Sequence, residues 1–323
     1  MKRLFVKLTL LSAAIIALTG SLSAQIKLRN ALDYDGDQKA DFGVFRNLDS
    51  TWYLSKSGGT TTSQQFGLSD YDTITPGDYD GDGIGDIAVW RYTDRVWYRL
   101  NSSNGTVSAT QFGLIGDEPM QRDYDGDGKT DIAVVRRTIG TNGAMTWWVL
   151  RSQTSAVSAY QFGINTDFAA PGDYDGDGKF DYAVYRAGAS NAAQSFYYIA
   201  RSTDNGFTIA PWGVGGDWVV PGDYDGDTKT DLAVARRSTA TSGNVVWYIL
   251  RSSDSVLVAK PFGITETDIP VQNDYDGDGK TDISVWRESD GNFYILKTTG
   301  SGETTYISWG LISDTPIASY DTH

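Results

Sequence analysis

The chain has 323 residues, 40% of them hydrophobic and 13% aromatic, enough for a substantial core and too much for a disordered chain. Its formal charge of −14 opposes binding to nucleic acid or an anionic membrane surface and favours cations. It contains no cysteine, which excludes disulfides, a thiol nucleophile and lipid modification of cysteine.

The first predicted element is a leader. Met1, Lys2, Arg3 and Lys7 give a basic start, residues 8–19 form an apolar stretch, and residues 21–24 end in Ala24, a small residue for cleavage before Gln25. Residues 1–24 therefore read as a signal peptide. The apolar run is too short to span a bilayer, and no later segment is long enough. Export to the periplasm, the cell surface or the medium is expected, without membrane insertion. Loss of three basic residues with the leader moves the formal charge from −14 to −17. Residues 25–323 are expected to form one domain, acting as a monomer.

Next comes a unit that repeats. A loop of the form Asp-Tyr-Asp-Gly-Asp-x-x-x-Asp begins at Asp33, Asp78, Asp123, Asp173, Asp223 and Asp274, at intervals of 45, 45, 50, 50 and 51 residues. Each loop is followed by a short apolar strand ending in arginine, as at residues 87–91, and then by an aromatic strand, as at residues 96–100. A third strand ends in an aromatic-Gly pair: Phe66-Gly67, Phe112-Gly113, Phe162-Gly163, Trp212-Gly213, Phe262-Gly263 and Trp309-Gly310. A fourth leads into the next loop. Helical periodicity is absent, and Gly, Ser and Thr clusters interrupt every candidate run. Four short strands per 45 to 50 residues predict an all-β fold, a β-propeller of four-stranded antiparallel blades. Six blades is the simplest ring. Residues 26–32 and 315–320 both resemble the fourth strand, so either chain end is a candidate for the closing strand.

Numbering the first aspartate of each loop as 1, carboxylates recur at positions 1, 3, 5 and 9. The predicted metal ligands are these carboxylates with the carbonyl at position 7. They are Asp33, Asp35, Asp37, Lys39 and Asp41 in the first loop, and Asp78, Asp80, Asp82, Ile84 and Asp86 in the second. The third loop has Asp123, Asp125, Asp127, Lys129 and Asp131, and the fourth Asp173, Asp175, Asp177, Lys179 and Asp181. The fifth has Asp223, Asp225, Asp227, Lys229 and Asp231, and the sixth Asp274, Asp276, Asp278, Lys280 and Asp282. Four carboxylates and a carbonyl form a hard, oxygen-only cage suited to Ca²⁺ rather than to softer metals, which want His or Cys. Acidic turns alone would repel strongly at this density. Up to six Ca²⁺ are expected. The pattern is not an EF-hand, because position 12 is Val44, Val89, Val134, Val184, Val234 and Val285 rather than glutamate, each inside a strand. Position 6 is glycine in four loops but Gln38 and Thr228 in the first and fifth, which are expected to bind calcium more weakly.

The aromatic-Gly pairs, the Pro-Gly before several loops and the Asp-x-Asp-Gly-Asp-Gly-x-x-Asp loop before an apolar strand resemble the FG-GAP/VCBS repeat family, seen also in integrin α-subunits. The resemblance spans essentially the whole mature chain. It implies a β-propeller with Ca²⁺ in hairpin loops on one face and a role in adhesion or ligand binding. The integrin-type ring has seven blades, which sets seven beside the six counted here. No catalytic residues are carried over by the resemblance.

The remaining recurring residues read as scaffold. Arg46, Arg91, Arg136, Arg186, Arg236 and Arg287 end the apolar strands, opposite Trp52, Trp97, Trp147, Tyr197, Trp247 and Phe293. These arginines are expected to stack on aromatics between blades and to pair with nearby acids. Asp72, Asp117, Asp167, Asp217, Asp268 and Asp314 read as turn residues. The repeat is broken by additions at residues 138–145, 187–194 and 238–244, expected to lie opposite the calcium loops as an off-centre ligand site on three adjacent blades.

The expected function is a binding or adhesion module for an extracellular carbohydrate or protein ligand. The alternatives are a polysaccharide-active enzyme, which two carboxylates suffice to drive, and a purely structural envelope protein. With His323 as the sole histidine and no cysteine, catalysis is not expected.

Overall fold

Each apolar run after an aspartate loop becomes the second strand of a four-stranded antiparallel blade, and the short strand before the loop becomes the first. The computed structural model describes residues 31–238, 243–264, 268–300 and 302–318. The leader 1–24, residues 26–30 of the N-terminal strand, 239–242 of the third addition, 319–320 of the closing segment, and Glu266, Asp321 and His323 lie outside the described residues.

Six such sheets build a six-bladed β-propeller. The chain enters on β1 (Phe42–Arg46), β2 (Thr51–Ser55) and β3 (Thr61–Gln65). Blade 2 is β4 (Asp72–Ile74), β5 (Ile87–Arg91), β6 (Val96–Leu100) and β7 (Val107–Gln111). Blade 3 is β8 (Glu118–Pro119), β9 (Ile132–Arg137), β10 (Ala144–Leu150) and β11 (Val157–Ile164). Blade 4 is β12 (Phe168–Ala169), β13 (Tyr182–Arg186), β14 (Gln194–Ala200) and β15 (Phe207–Val214). Blade 5 is β16 (Trp218–Val219), β17 (Leu232–Arg237), β18 (Asn244–Leu250) and β19 (Leu257–Ile264). Blade 6 is β20 (Asp268–Pro270), β21 (Ile283–Arg287), β22 (Asn292–Leu296) and β23 (Thr304–Ser308).

The last strand, β24 (Asp314–Pro316), returns to blade 1 and pairs with β1 in the register Val44↔Pro316, Phe45↔Thr315 and Arg46↔Asp314. The C-terminal segment therefore takes the inner position and closes the ring, which decides between the two candidate ends. Ile317 continues the contact, donating its N–H to the Gly43 carbonyl at 2.9 Å.

The core repeats with the sequence. Val44, Val89, Val134, Val184, Val234 and Val285 are all buried, as are Trp52, Trp97, Trp147, Tyr197, Trp247 and Phe293 on the third strands of the blades. Four of these indoles, Trp52, Trp97, Trp147 and Trp247, donate N–H to the carbonyl of the aromatic in the aromatic-Gly pair, at 3.0 to 3.2 Å. The pair's glycine has φ between 75° and 124°, a left-handed conformation that costs other residues dearly. A Cβ on Gly163 would come 3.0 Å from Val184 of the next blade, so the glycine is also where neighbouring blades touch.

The strand arginines do pair with the recurring aspartates, but within a blade rather than between blades. Arg46 with Asp314, Arg91 with Asp72, Arg136 with Asp117, Arg186 with Asp167, Arg236 with Asp217 and Arg287 with Asp268 form ion pairs at 2.7 to 2.9 Å. Each guanidinium lies over the residue after the expected aromatic: Tyr53, Tyr98, Trp148, Tyr198, Tyr248 or Tyr294, at 4.1 to 5.0 Å. The reason is strand alternation: Trp52 and its equivalents point into the core, so only the neighbouring side chain meets the arginine. The aspartate also accepts an N–H from the link out of the preceding blade, as Asp117 Oδ2 does from Leu114 at 2.7 Å. With the Asp117 side chain 1% exposed, Asp117→Ala leaves a partly buried guanidinium without its carboxylate. The expected cost is about 2–3 kcal/mol, read as a drop of about 3–5 °C in melting temperature. A change within about 1 °C would contradict this role.

Antiparallel connections alternate between faces. The aspartate loops and the third-to-fourth-strand turns share one face; the links between blades and the second-to-third-strand loops share the other. The described residues of the three additions fall on that other face, as expected, but part of each is strand. Ala144 and Met145 belong to β10, Gln194 to β14 and Asn244 to β18, and Met145 is fully buried in the core.

Candidate metal centres

Backbone N–H groups shape each aspartate loop. The position 1 carboxylate accepts from the amides at positions 4 and 6, as Asp78 does from Gly81 at 2.7 Å and Gly83 at 2.9 Å. The position 9 carboxylate, at most 1% exposed in every blade, accepts from the amide at position 2, as Asp131 does from Tyr124 at 2.9 Å. Position 5 accepts from the amide at position 7, as Asp127 does from Lys129 at 2.9 Å. The loop thus turns its carboxylates onto one focus. In the loops of blades 1 to 5, three aspartates offer oxygens within 4.8 Å of one another: Asp33, Asp35 and Asp37; Asp78, Asp80 and Asp86; Asp123, Asp125 and Asp127; Asp173, Asp175 and Asp181; Asp223, Asp225 and Asp227. The loop at Asp274 has the same hydrogen bonds, from Gly277 at 2.6 Å and Gly279 at 2.9 Å to Asp274 and from Tyr275 at 3.0 Å to Asp282.

These carboxylates are strained electrostatically. Burial, reinforced by neighbouring aspartates and only partly offset by the amides, pushes Asp78, Asp131, Asp181, Asp223 and Asp282 up to about 7. Asp41, Asp173 and Asp231 are pushed up to about 6 by the same desolvation. Asp35 Oδ1 and Asp276 Oδ1 are buried and accept no hydrogen bond. In blade 2 the single Ser102 hydroxyl lies within 3.5 Å of four acceptors, namely both Asp82 oxygens, the Ile84 carbonyl and Asp86 Oδ1. One proton serves one of them. A hard cation at that focus would serve them all, so this donor set fits Ca²⁺. Asp78, Asp80, Asp82, the Ile84 carbonyl and Asp86 would hold it in blade 2.

The third-to-fourth-strand turn belongs to the site as well, which the sequence reading missed. Backbone amides of Ser57, Ser102, Ser152, Ser202, Ser252 and Thr298 donate to position 9 at 2.6 to 2.8 Å. The following residues, Gly58 to Thr299, donate to position 3. A Ser or Thr recurring after each aromatic strand was the available signal. Tyrosine at position 2 was another: Tyr79, Tyr124, Tyr174, Tyr224 and Tyr275 each donate a hydroxyl to the carbonyl four residues back, at 2.6 to 2.9 Å.

The six loops are also tied head to tail. The position 8 amide donates to the position 1 carbonyl of the preceding loop: Gly85 to Asp33, Thr130 to Asp78, Phe180 to Asp123, Thr230 to Asp173, Thr281 to Asp223 and Ala40 to Asp274, at 2.6 to 2.9 Å. The last of these closes a hydrogen-bonded ring through all six blades.

Residues 123–184, from the third loop to the second strand of blade 4, match the model of the FG-GAP-like repeat. Those residues form an FG-GAP-like repeat, and the six-bladed propeller is consistent with a ring of such repeats. No curated protein matches it. Among solved structures it is similar to a catalytically inactive virginiamycin B lyase from Staphylococcus aureus with quinupristin, at 9% identity over 89% of this chain and 90% of that chain, TM-score 0.44. It is also similar to a mutant of AofleA from Arthrobotrys oligospora, at 11% identity over 83% of this chain and 81% of that chain, TM-score 0.43.

Two of the six aspartate loops carry a strained residue. Position 6 has φ 84° to 90° in the four glycine loops, and Gln38 and Thr228 are held at 71° and 76°. For β-branched Thr228 this costs about 1–2 kcal/mol. Thr228→Gly is expected to raise the melting temperature in calcium by about 2–4 °C and to tighten the weakest step of a calorimetric calcium titration about fivefold. An unchanged titration would show that the loop absorbs the strain.

Proposed function

We propose that this protein is a secreted, calcium-stabilised binding module for an extracellular carbohydrate or protein ligand, exported by its leader. The observation that carries the metal reading is the focus in blade 2, where one hydroxyl faces four acceptor oxygens among desolvated carboxylates. Calcium bound at such foci supports a scaffold that has no disulfide. The binding reading is supported by what the ring leaves free once the recurring residues are assigned: a central cavity and a face bare of aspartate loops.

Equilibrium dialysis against Ca²⁺ is expected to give about six ions per chain. Fewer than about two would overturn the metal reading. Glycan-array and protein-capture binding, run beside polysaccharide-turnover assays with and without chelator, tests the rest. Turnover of a polysaccharide would replace the binding module with an enzyme.

A further inference from the structure

The recurring positions are nearly invariant around the ring, so a site shows where they vary. One such position is the residue just after the aspartate of each Arg–Asp pair, which is Thr315, Thr73, Glu118, Phe168, Trp218 and Ile269 in blades 1 to 6. All six line one cavity of about 590 Å³ at the axis of the propeller, the size of an ordinary ligand pocket. The next residue inward is apolar in every blade: Pro316, Ile74, Pro119, Ala169, Val219 and Pro270, all lining the same cavity. The entrance is therefore split. Blades 4, 5 and 6 present Phe168, Trp218 and Ile269, while blades 1, 2 and 3 present two hydroxyls and a carboxylate.

Its carboxylates are already matched. Glu118 is paired with Arg137 at 2.8 Å, and Asp72 and Asp217 are held by Arg91 and Arg236 at 2.7 Å. Arg122, buried at the inner end, donates to the Gln121 carbonyl at 2.5 Å. A cationic ligand gains little here. A hydroxyl-rich sugar would lose water against a throat with three prolines, which offer no N–H, and would find polar partners only at the rim, at Thr73, Glu118 and Thr315. A flat apolar ring suits it. Phe168 is 49% exposed at the entrance, and Trp218 is held from one side by the Arg237 guanidinium at 4.2 Å. Around the entrance, the same face exposes Leu48, Tyr71, Tyr92, Ile115, Ile139 and Leu311 on its loops and links, with Ile139 and Leu48 100% and 94% exposed.

We propose that the axial cavity receives a neutral aromatic side chain presented by a polypeptide ligand, stacked against Phe168 and Trp218, with its flanking peptide groups hydrogen-bonded to Thr73, Glu118 and Thr315. The proposal deepens the binding-module reading by choosing protein over carbohydrate, and it moves the site from the loop additions to the axis. None of residues 138–143 or 187–193 lines the cavity; the blade 4 addition only backs Gly215 and Gly216, which do.

The test is calorimetry and saturation-transfer NMR on the full chain in saturating calcium, with three probes: the blocked tripeptide acetyl-glycyl-tryptophyl-glycinamide, free indole, and cellotriose. The tripeptide is expected to bind with a Kd on the order of 0.1–1 mM, indole at least threefold more weakly, and cellotriose not measurably. Phe168→Ser, at a half-exposed position, is expected to weaken the tripeptide about tenfold without changing the melting temperature; Trp218→Ala is the second variant, with its melting curve as a check on folding. Cellotriose binding as tightly as the tripeptide, indole matching it, no binding of any probe, or a Phe168→Ser variant of unchanged affinity would each overturn the proposal. Melting curves with and without EDTA on the same samples read the calcium scaffold separately.

Discussion

Stripping calcium with EDTA is expected to lower the melting temperature of the protein by about 25 °C. The argument is mass action: an ion bound only by the folded state stabilises it by about 2.7 kcal/mol when free calcium is 100-fold above Kd. Six sites then contribute about 16 kcal/mol, against an unfolding entropy of about 0.6 kcal/mol per degree for a chain of this size. The buried carboxylates say the same from the other side, since neighbouring aspartates pushed up to about 7 are poorly tolerated without a cation. The closed ring of position 8 to position 1 hydrogen bonds joins the loops, so the loss should appear as one shifted transition rather than six small ones. Differential scanning calorimetry in about 1 mM Ca²⁺, EDTA and Mg²⁺ checks it, with magnesium restoring little because it demands near-ideal octahedral geometry and gives up its own waters reluctantly. A shift below about 3 °C would mean that the loops hold their shape without a metal.

Truncation after Ser313 is expected to remove cooperative unfolding and send most of the protein into aggregates. The lost segment is small, yet it is the innermost strand of blade 1. It takes with it the Asp314 carboxylate that holds Arg46 at 2.9 Å, the three-residue register on β1, and Ile317, which is 1% exposed in the core. What remains is an open ring with β1 as an unpaired edge, the arrangement that promotes strand pairing between molecules. A milder variant separates closure from gross truncation. Ile317→Ala is expected to cost about 2–4 kcal/mol and to lower the melting temperature by about 3–7 °C. Size-exclusion chromatography and thermal melts measure both. A truncated chain that stays monomeric and melts within about 2 °C of the parent would show that closure contributes nothing.

The composition and spacing of the chain determined its architecture because a repeat protein states each local rule six times. Loops at 45- to 51-residue intervals, each followed by an apolar and then an aromatic strand, leave few folds besides the propeller. The valines at position 12, the glycine of the aromatic-Gly pair and the left-handed turn at position 6 were legible for the same reason: each answers to backbone and burial within one blade or its neighbour. Gln38 and Thr228 could be flagged as strained from their type alone, and both are held at positive φ.

Only the tertiary structure decided matters that depend on how separate segments meet. Two chain ends had equal claims to the closing strand, and the pairing of Asp314 with Arg46, 268 residues apart, chose between them. Strand alternation sent Trp147 into the core and left Trp148 to receive Arg136, a one-residue distinction that apolar content does not reveal. Ser102 entered the loop at Asp78 from a turn 24 residues further on. The axial cavity is the extreme case, assembled from the innermost strand of every blade, so that Glu118, Phe168 and Trp218 share a wall only because the ring is closed. Local patterns carry the physics of one blade; the meeting of six blades at an axis is a property of the closed chain.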